Sequence, residues 1–180
     1  MQKETLIAGF GGQGVLFAGK VLAHAALESG LEVTWFPSYG PEMRGGTANC
    51  TVIFSDEEIG SPQVLNPTSI IVMNQPSLEK YENKVNKDGY LIVDTSMTNQ
   101  PAKRSDIHVS CLPATQIAEE IGDKRLANIV LLGALMRASQ YFSQAELEIA
   151  LQKSLEGRDE KLLTANRMAL QRGFTYEQKA

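Results

Sequence analysis

Apolar positions group along the chain in two alternating rhythms. Thr5 to Phe10 (TLIAGF) is a short apolar run that stops at glycines, and VLFAGKVLAHAALESG then repeats apolar residues at helical spacing. Gly30 falls just past that helix, at a position where the left-handed cap favours glycine, and LEVTWF resumes as a strand with Val33 and Trp35 on one face. The pattern predicts a leading βαβ unit. Pro37 to Gly46 (PSYGPEMRGG) holds two prolines and three glycines in ten positions, which excludes a regular helix and a central strand and predicts a structured loop. TANCTVIFS, from Thr47 to Ser55, alternates into a strand, and SDEEIGSP is a polar turn closed by Pro62.

A second unit repeats the first in kind. SIIVMN reads as a buried strand, QPSLEKYENKV as a short helix opened by Pro76, and GYLIVDTS as a strand ending on Asp94. IHVSCLPA is a last strand. Four helical segments follow: ATQIAEEIG, LANIVLLGALMRASQYF, SQAELEIALQKS and LLTANRMALQRGF. Strands separated by helices predict an α/β fold, a three-layer α/β/α sandwich with a Rossmann-like, mostly parallel or mixed sheet and C-terminal helices packed on it. An antiparallel pairing of LEVTWF with TANCTVIFS across the PSYGPEMRGG loop stays open on sequence grounds.

Length changes this picture little: 180 residues, 43% of them hydrophobic, predict one domain over 1–180 with one core. The formal charge of −4, with no cluster of Lys and Arg, argues against a nucleic-acid partner. The N-terminus lacks the pattern of a secretory signal, and no run approaches the roughly 18 apolar residues of a membrane span, so the expectation is a cytoplasmic protein with no membrane partner. Cys50 and Cys111 lie far apart in apolar surroundings and read as reduced core residues. His24 shares a helical line with Lys20 and Glu28, a solvated polar stripe, and His108 reads as a packed or edge-strand residue. No metal site and no catalytic residue is assigned to this chain.

Two segments carry candidate chemistry. Gly9, Gly11 and Gly14 satisfy GxGxxG between a strand and a helix, where backbone N–H groups and the helix dipole can hold an anion. A dinucleotide site also asks for an acidic residue at the end of the second strand, about 20 residues on, and that strand ends in Trp35, Phe36 and Pro37. Glu32 sits at its opposite end. Close packing of helix on strand explains the glycines as well as a phosphate cradle does. Gln13 tilts the balance towards function, as an amide able to bond a neighbouring chain, so Gly9, Gly11, Gly12, Gln13 and Gly14 stand as a candidate CoA or phosphate contact. In the second loop, Ser38, Tyr39, Gly40, Glu42, Arg44, Gly45 and Gly46 form a candidate interface, with Arg44 suited to a carboxylate or phosphate.

Taken together, GFGGQGVLFAGKVLAHAALESG, PSYGPEMRGGTANCTVIFSDEEIGSP and NIVLLGALM closely resemble the gamma subunit of the 2-oxoacid:ferredoxin oxidoreductases, across nearly the whole chain. The resemblance implies a complex that converts a 2-oxoacid and CoA to acyl-CoA and carbon dioxide while reducing ferredoxin. It implies alpha, beta and delta (ferredoxin-like) partner subunits. Thiamine diphosphate, Mg2+ and the iron–sulfur clusters would lie on those partners, leaving this chain inactive alone and without a cofactor of its own; apolar surface exposed when the partners are absent would let the isolated chain homodimerise. No GDG thiamine signature, P-loop or GxSxG elbow occurs here. PSYGPEMRGG is closer to the 2-oxoglutarate and branched-chain (2-oxoisovalerate) members than to the pyruvate ones, whose loop tends to read SFGAERRG. It departs at Pro41, Glu42 and Met43 from the MAQRGG of indolepyruvate subunits. Two readings independent of the resemblance stay open: a small nicotinamide-nucleotide reductase, and a stand-alone CoA- or nucleotide-binding Rossmann-like protein.

Overall fold

A computed structural model describes residues 1–39 and 47–177. Its strands are β1 (Gln2–Phe10), β2 (Glu32–Tyr39), β3 (Thr47–Ser55), β4 (Ser69–Val72), β5 (Tyr90–Asp94) and β6 (His108–Leu112). They form one sheet in the order β2-β3-β1-β4-β5-β6. Helices α1 (Val15–Glu28), α2 (Gln75–Tyr81), α3 (Ala114–Ile121), α4 (Ala127–Ser139), α5 (Gln144–Ser154) and α6 (Glu160–Thr175) complete the α/β architecture.

β1, β4, β5 and β6 run parallel, whereas β3 is antiparallel to both β1 and β2. The leading strand–helix–strand segment therefore keeps its expected order but not its expected pairing. β3 enters between β1 and β2, because the short connection after β2 brings the chain straight back as an antiparallel neighbour, while a parallel partner needs a long crossover. A second difference concerns Pro37, Ser38 and Tyr39, which extend β2 rather than opening the loop. β2 is an edge strand, and a proline is tolerated where alternate N–H groups face no neighbouring strand.

The two sheet faces are covered unequally. Ile7, Val52, Phe54, Ile71 and Ile92 face the large core shared with α1 and α4, whereas Leu6, Ile70, Val72, Leu91 and Val93 pack with Leu78, Tyr81 and Val85 of the α2 region. β4 is buried along its whole length, as a strand covered on both faces must be. On the large-core side α6 lies outside α4, so α4 is enclosed by the sheet and by a second helix. That explains why its residues 127–136 are all buried and why its sequence is apolar all round.

The turns carry local reasons. Asn74 caps α2 through Ser77 N–H at 2.9 Å, and Ser143 with Glu146 forms a capping box on α5. Asp94, fully buried at the end of β5, accepts from Ser96 N–H (3.0 Å), Thr115 N–H (3.3 Å) and Thr115 Oγ1 (2.6 Å), and so ties the sheet to the start of α3. Asp94→Ala strands these donors and is expected to cost about 2–3 kcal/mol, readable as a lower midpoint in urea.

Candidate functional site

The glycine turn stands at the end of β1 where the chain leaves for α1, on one face of the sheet, while the neighbouring β4 sends its chain to α2 on the other. Such a divergence opens a crevice at the strand ends, the usual ligand position of doubly wound folds. Here Gln13 bridges it. Its Oε1 accepts from Phe10 N–H at 2.6 Å and from Asn74 Nδ2 at 3.1 Å, and its Nε2 donates to the Met73 carbonyl at 3.1 Å. The amide thus serves its own chain, joining the ends of β1 and β4 to the cap of α2.

The glycines divide by role. A Cβ on Gly9 would meet Gln13 Oε1 at 2.7 Å and Met73 Cβ at 3.1 Å, so this position is set by packing. Gly14 has φ +76° and sits so close to Asn128 that a Cβ there would collide with its Nδ2. Gly12 has φ +97°, is exposed, and faces open space. Gly11 is half-buried beside it. Close approach therefore accounts for Gly9 and Gly14, while Gly12 presents backbone outward.

Two cavities flank Gly12. The first, about 450 Å³, lies between the start of α1, the α5–α6 turn and the segment before α4, with Phe17, Leu155 and Leu162 as apolar wall and Lys20, Arg125 and Arg158 as cations. The second, about 290 Å³, reaches from Phe10 and Met73 to Met97, Thr115, Lys124 and Arg125. Gly12 and Arg125 border both. Arg125 is paired with Asp123 at 2.6 Å, and that bond holds the Asp123 carboxyl below its usual range. Lys20 and Arg158 form no ion pair among the described residues.

The helix that begins here reinforces the preference for an anion. α1 starts without a capping side chain and without an acidic residue in the first turn, so its leading N–H groups keep positive character. In a chain of net charge −4 this edge concentrates positive charge beside an apolar wall, which suits an organic phosphate better than a bare ion.

Of the second loop, Gly40, Glu42, Arg44, Gly45 and Gly46 lie outside the described residues. Ser38 is exposed on β2 and pairs with Asn49, and Tyr39 ends the strand. Thr47, where the chain re-enters the sheet, is the register partner of Phe10, so the loop's anchor sits next to the glycine turn. Sequence reasoning missed Arg125, Arg158 and Asn128 and placed Lys20 in a solvated stripe. Only the NIVLLGALM block, opening on Asn128, hinted at the last of these.

The remaining reactive groups lie elsewhere. Burial and then Lys20 lower the His24 pKa, and His108 is exposed on the edge strand β6, stacked on Tyr90 at 5.2 Å. Burial pushes the Cys50 thiol up to about 12, so at pH 8 the native protein holds it almost wholly protonated. Iodoacetamide is expected to spare Cys50 in the native protein and to label both cysteines in guanidinium, as read by mass spectrometry. Among the described residues no group of three or more His, Cys, Asp or Glu is placed to hold a metal ion, and no described helix is long and apolar enough to cross a membrane.

Fold and cleft together define an α/β domain built on a six-stranded mixed sheet flanked by helices. The chain belongs to the pyruvate ferredoxin/flavodoxin oxidoreductase family, whose sequence profile matches residues 4–176. It is 41% identical over 181 residues to the 2-oxoglutarate synthase subunit KorC of Methanothermobacter marburgensis, covering 96% of this chain and 95% of that one. It is 38% identical to the ketoisovalerate oxidoreductase subunit VorA of the same organism over 96% of this chain but only 36% of the relative, so it spans about a third of that longer protein. The structure of a 2-oxoglutarate:ferredoxin oxidoreductase from Magnetococcus marinus with 2-oxoglutarate, coenzyme A and succinyl-CoA bound matches with a TM-score of 0.86 at 25% identity, over 96% of this chain and 30% of that one.

Proposed function

We propose that this chain is the gamma subunit of a 2-oxoacid:ferredoxin oxidoreductase that oxidises 2-oxoglutarate with CoA, and that its glycine-turn edge receives the phosphate end of CoA. The observation that carries the reading is the cation-lined cavity at Gly12, on a chain that matches a 2-oxoglutarate synthase subunit end to end. Lys20 and Arg158 bind the phosphates, Phe17 and Leu162 shelter the apolar part of the ligand, and Gly12 allows close approach of backbone. Thiamine diphosphate with Mg2+ on the partner subunits supplies the decarboxylation, iron–sulfur clusters carry the electrons to ferredoxin, and alpha, beta and delta subunits complete the assembly. This chain holds the co-substrate and an interface built on Ser38, Tyr39 and the 40–46 loop, and it has no turnover alone.

A free-standing nicotinamide-dependent reductase is disfavoured because β2 ends on Pro37, Ser38 and Tyr39, with no acidic residue to bind a ribose. The substrate choice is tested by purifying the assembled complex without oxygen and measuring CoA-dependent reduction of a viologen dye with 2-oxoglutarate, 3-methyl-2-oxobutanoate and pyruvate. The highest kcat/KM is expected for 2-oxoglutarate. A higher value for the branched acid would replace the substrate, and no turnover with any of the three would overturn the functional reading.

A further inference from the structure

We infer that Asn128 is a positioning residue for CoA: from the wall of the larger cavity, with both ends of its own amide already engaged, it holds the glycine turn in its binding shape. The inference rests on the reading that CoA meets the turn at Gly12.

Asn128 lies in the first turn of α4 and is buried, 3% exposed. Its Nδ2 donates to the Gly14 carbonyl at 2.8 Å, across 114 positions of sequence. Its Oδ1 accepts from Ile129 N–H at 2.8 Å, so both ends of the amide are engaged. The Gly14 carbonyl also receives Ala18 N–H at 3.0 Å, the bond that starts α1, which makes this one oxygen the meeting point of α1, α4 and the turn. At the other end the turn is tied by Gln13, through Phe10 N–H and the Met73 carbonyl. Gly12, between these two anchors, is left with a positive φ and open space around it.

The anchor behind Asn128 is rigid, since α4 is enclosed between the sheet and α6. A glycine turn has little stiffness of its own, because its residues lose more conformational freedom on ordering than any others. Fixing the Gly14 carbonyl to α4 removes that freedom before the ligand arrives, and preorganisation of this kind appears as affinity. An amide suits this position better than its nearest substitutes. A carboxylate of the same size turns the donor into an acceptor facing the Gly14 carbonyl, and a methyl group leaves the carbonyl untied.

The test uses the assembled complex. Asn128→Ala and Asn128→Asp are each expected to raise KM for CoA about fivefold or more, the weight of one lost buried hydrogen bond, with kcat within about twofold of the parent and KM for the 2-oxoacid unchanged. The neutral Ala variant removes any contribution from added charge beside the cavity. Leu132→Ala, on the same helix and fully buried, serves as the structural control: it lowers the thermal midpoint and leaves KM for CoA unchanged. An unchanged KM for CoA in Asn128→Ala overturns the inference, as does a rise equal to that in Leu132→Ala. Arg158→Glu separates this failure from that of the underlying reading. If Arg158→Glu raises KM while Asn128→Ala does not, the positioning role falls and the CoA reading stands; if neither raises it, both fall.

Discussion

Gly173→Val is expected to lower the thermal midpoint of the isolated chain by roughly 6–12 °C, corresponding to about 3 kcal/mol in a protein of this size. Gly133 on α4 and Gly173 on α6 face one another where the two helices cross. A Cβ on Gly173 would collide with the Val130 carbonyl and stand 3.0 Å from the Ala134 nitrogen, and one on Gly133 would collide with the Leu170 carbonyl and lie 3.0 Å from the Phe174 nitrogen. Each obstacle is backbone, which cannot rotate away as a flexible side chain does. In an open position a glycine-to-alanine change within a helix gains about 1 kcal/mol from propensity. A loss of stability in Gly173→Ala as well would therefore be diagnostic of close helix approach. Thermal unfolding followed by circular dichroism decides the matter, and a midpoint within about 2 °C of the parent for the valine variant would contradict the packing described.

The largest functional effect is expected from the double change Lys20→Glu with Arg158→Glu. Both side chains line the larger cavity at Gly12, and neither is committed to an ion pair among the described residues. A charge-assisted bond to phosphate contributes about 1.5–3 kcal/mol, so the complex carrying both reversals should show KM for CoA raised by roughly a hundredfold or more. The effect should shrink as salt is added, since charges this close to solvent are screened. Stability should be nearly unaffected, because no core contact is lost. A KM for CoA unaltered in steady-state assays would remove the larger cavity from the binding site.

Much of the fold was legible because its signals are local. The alternation in TANCTVIFS, the helical spacing in VLFAGKVLAHAALE and the apolar run IVLLGALM each report how much of an element is covered, and the elements lie where those patterns put them. The position of β3 between β1 and β2 was not legible. Periodicity says which face of a strand is buried and nothing about which strand is its neighbour. Pro37 misled for a related reason: its missing N–H excludes a central strand, and only the sheet order shows that β2 is an edge.

The site was legible in part. Glycines at positive φ announce a turn, and the turn formed where the motif lies. Gln13 was recognised as unusual, but its partners Phe10, Met73 and Asn74 belong to segments brought together only by folding. Arg125 and Arg158 were invisible for the same reason, and Asn128 showed only as the first residue of NIVLLGALM, all three being a hundred or more positions from the glycines they surround. A lysine on a helix surface, like Lys20, carries no mark in sequence that tells a solvated stripe from the rim of a cavity.

The most direct test of the proposed function is reconstitution by omission. The complex is assembled without oxygen from its separately produced subunits, with and without this chain, and CoA-dependent reduction of ferredoxin by 2-oxoglutarate is followed spectroscopically. Turnover is expected to need this chain, the chain alone to give none, and its addition to restore saturation by CoA. Full CoA-dependent turnover in its absence would contradict the assignment of the co-substrate to this subunit.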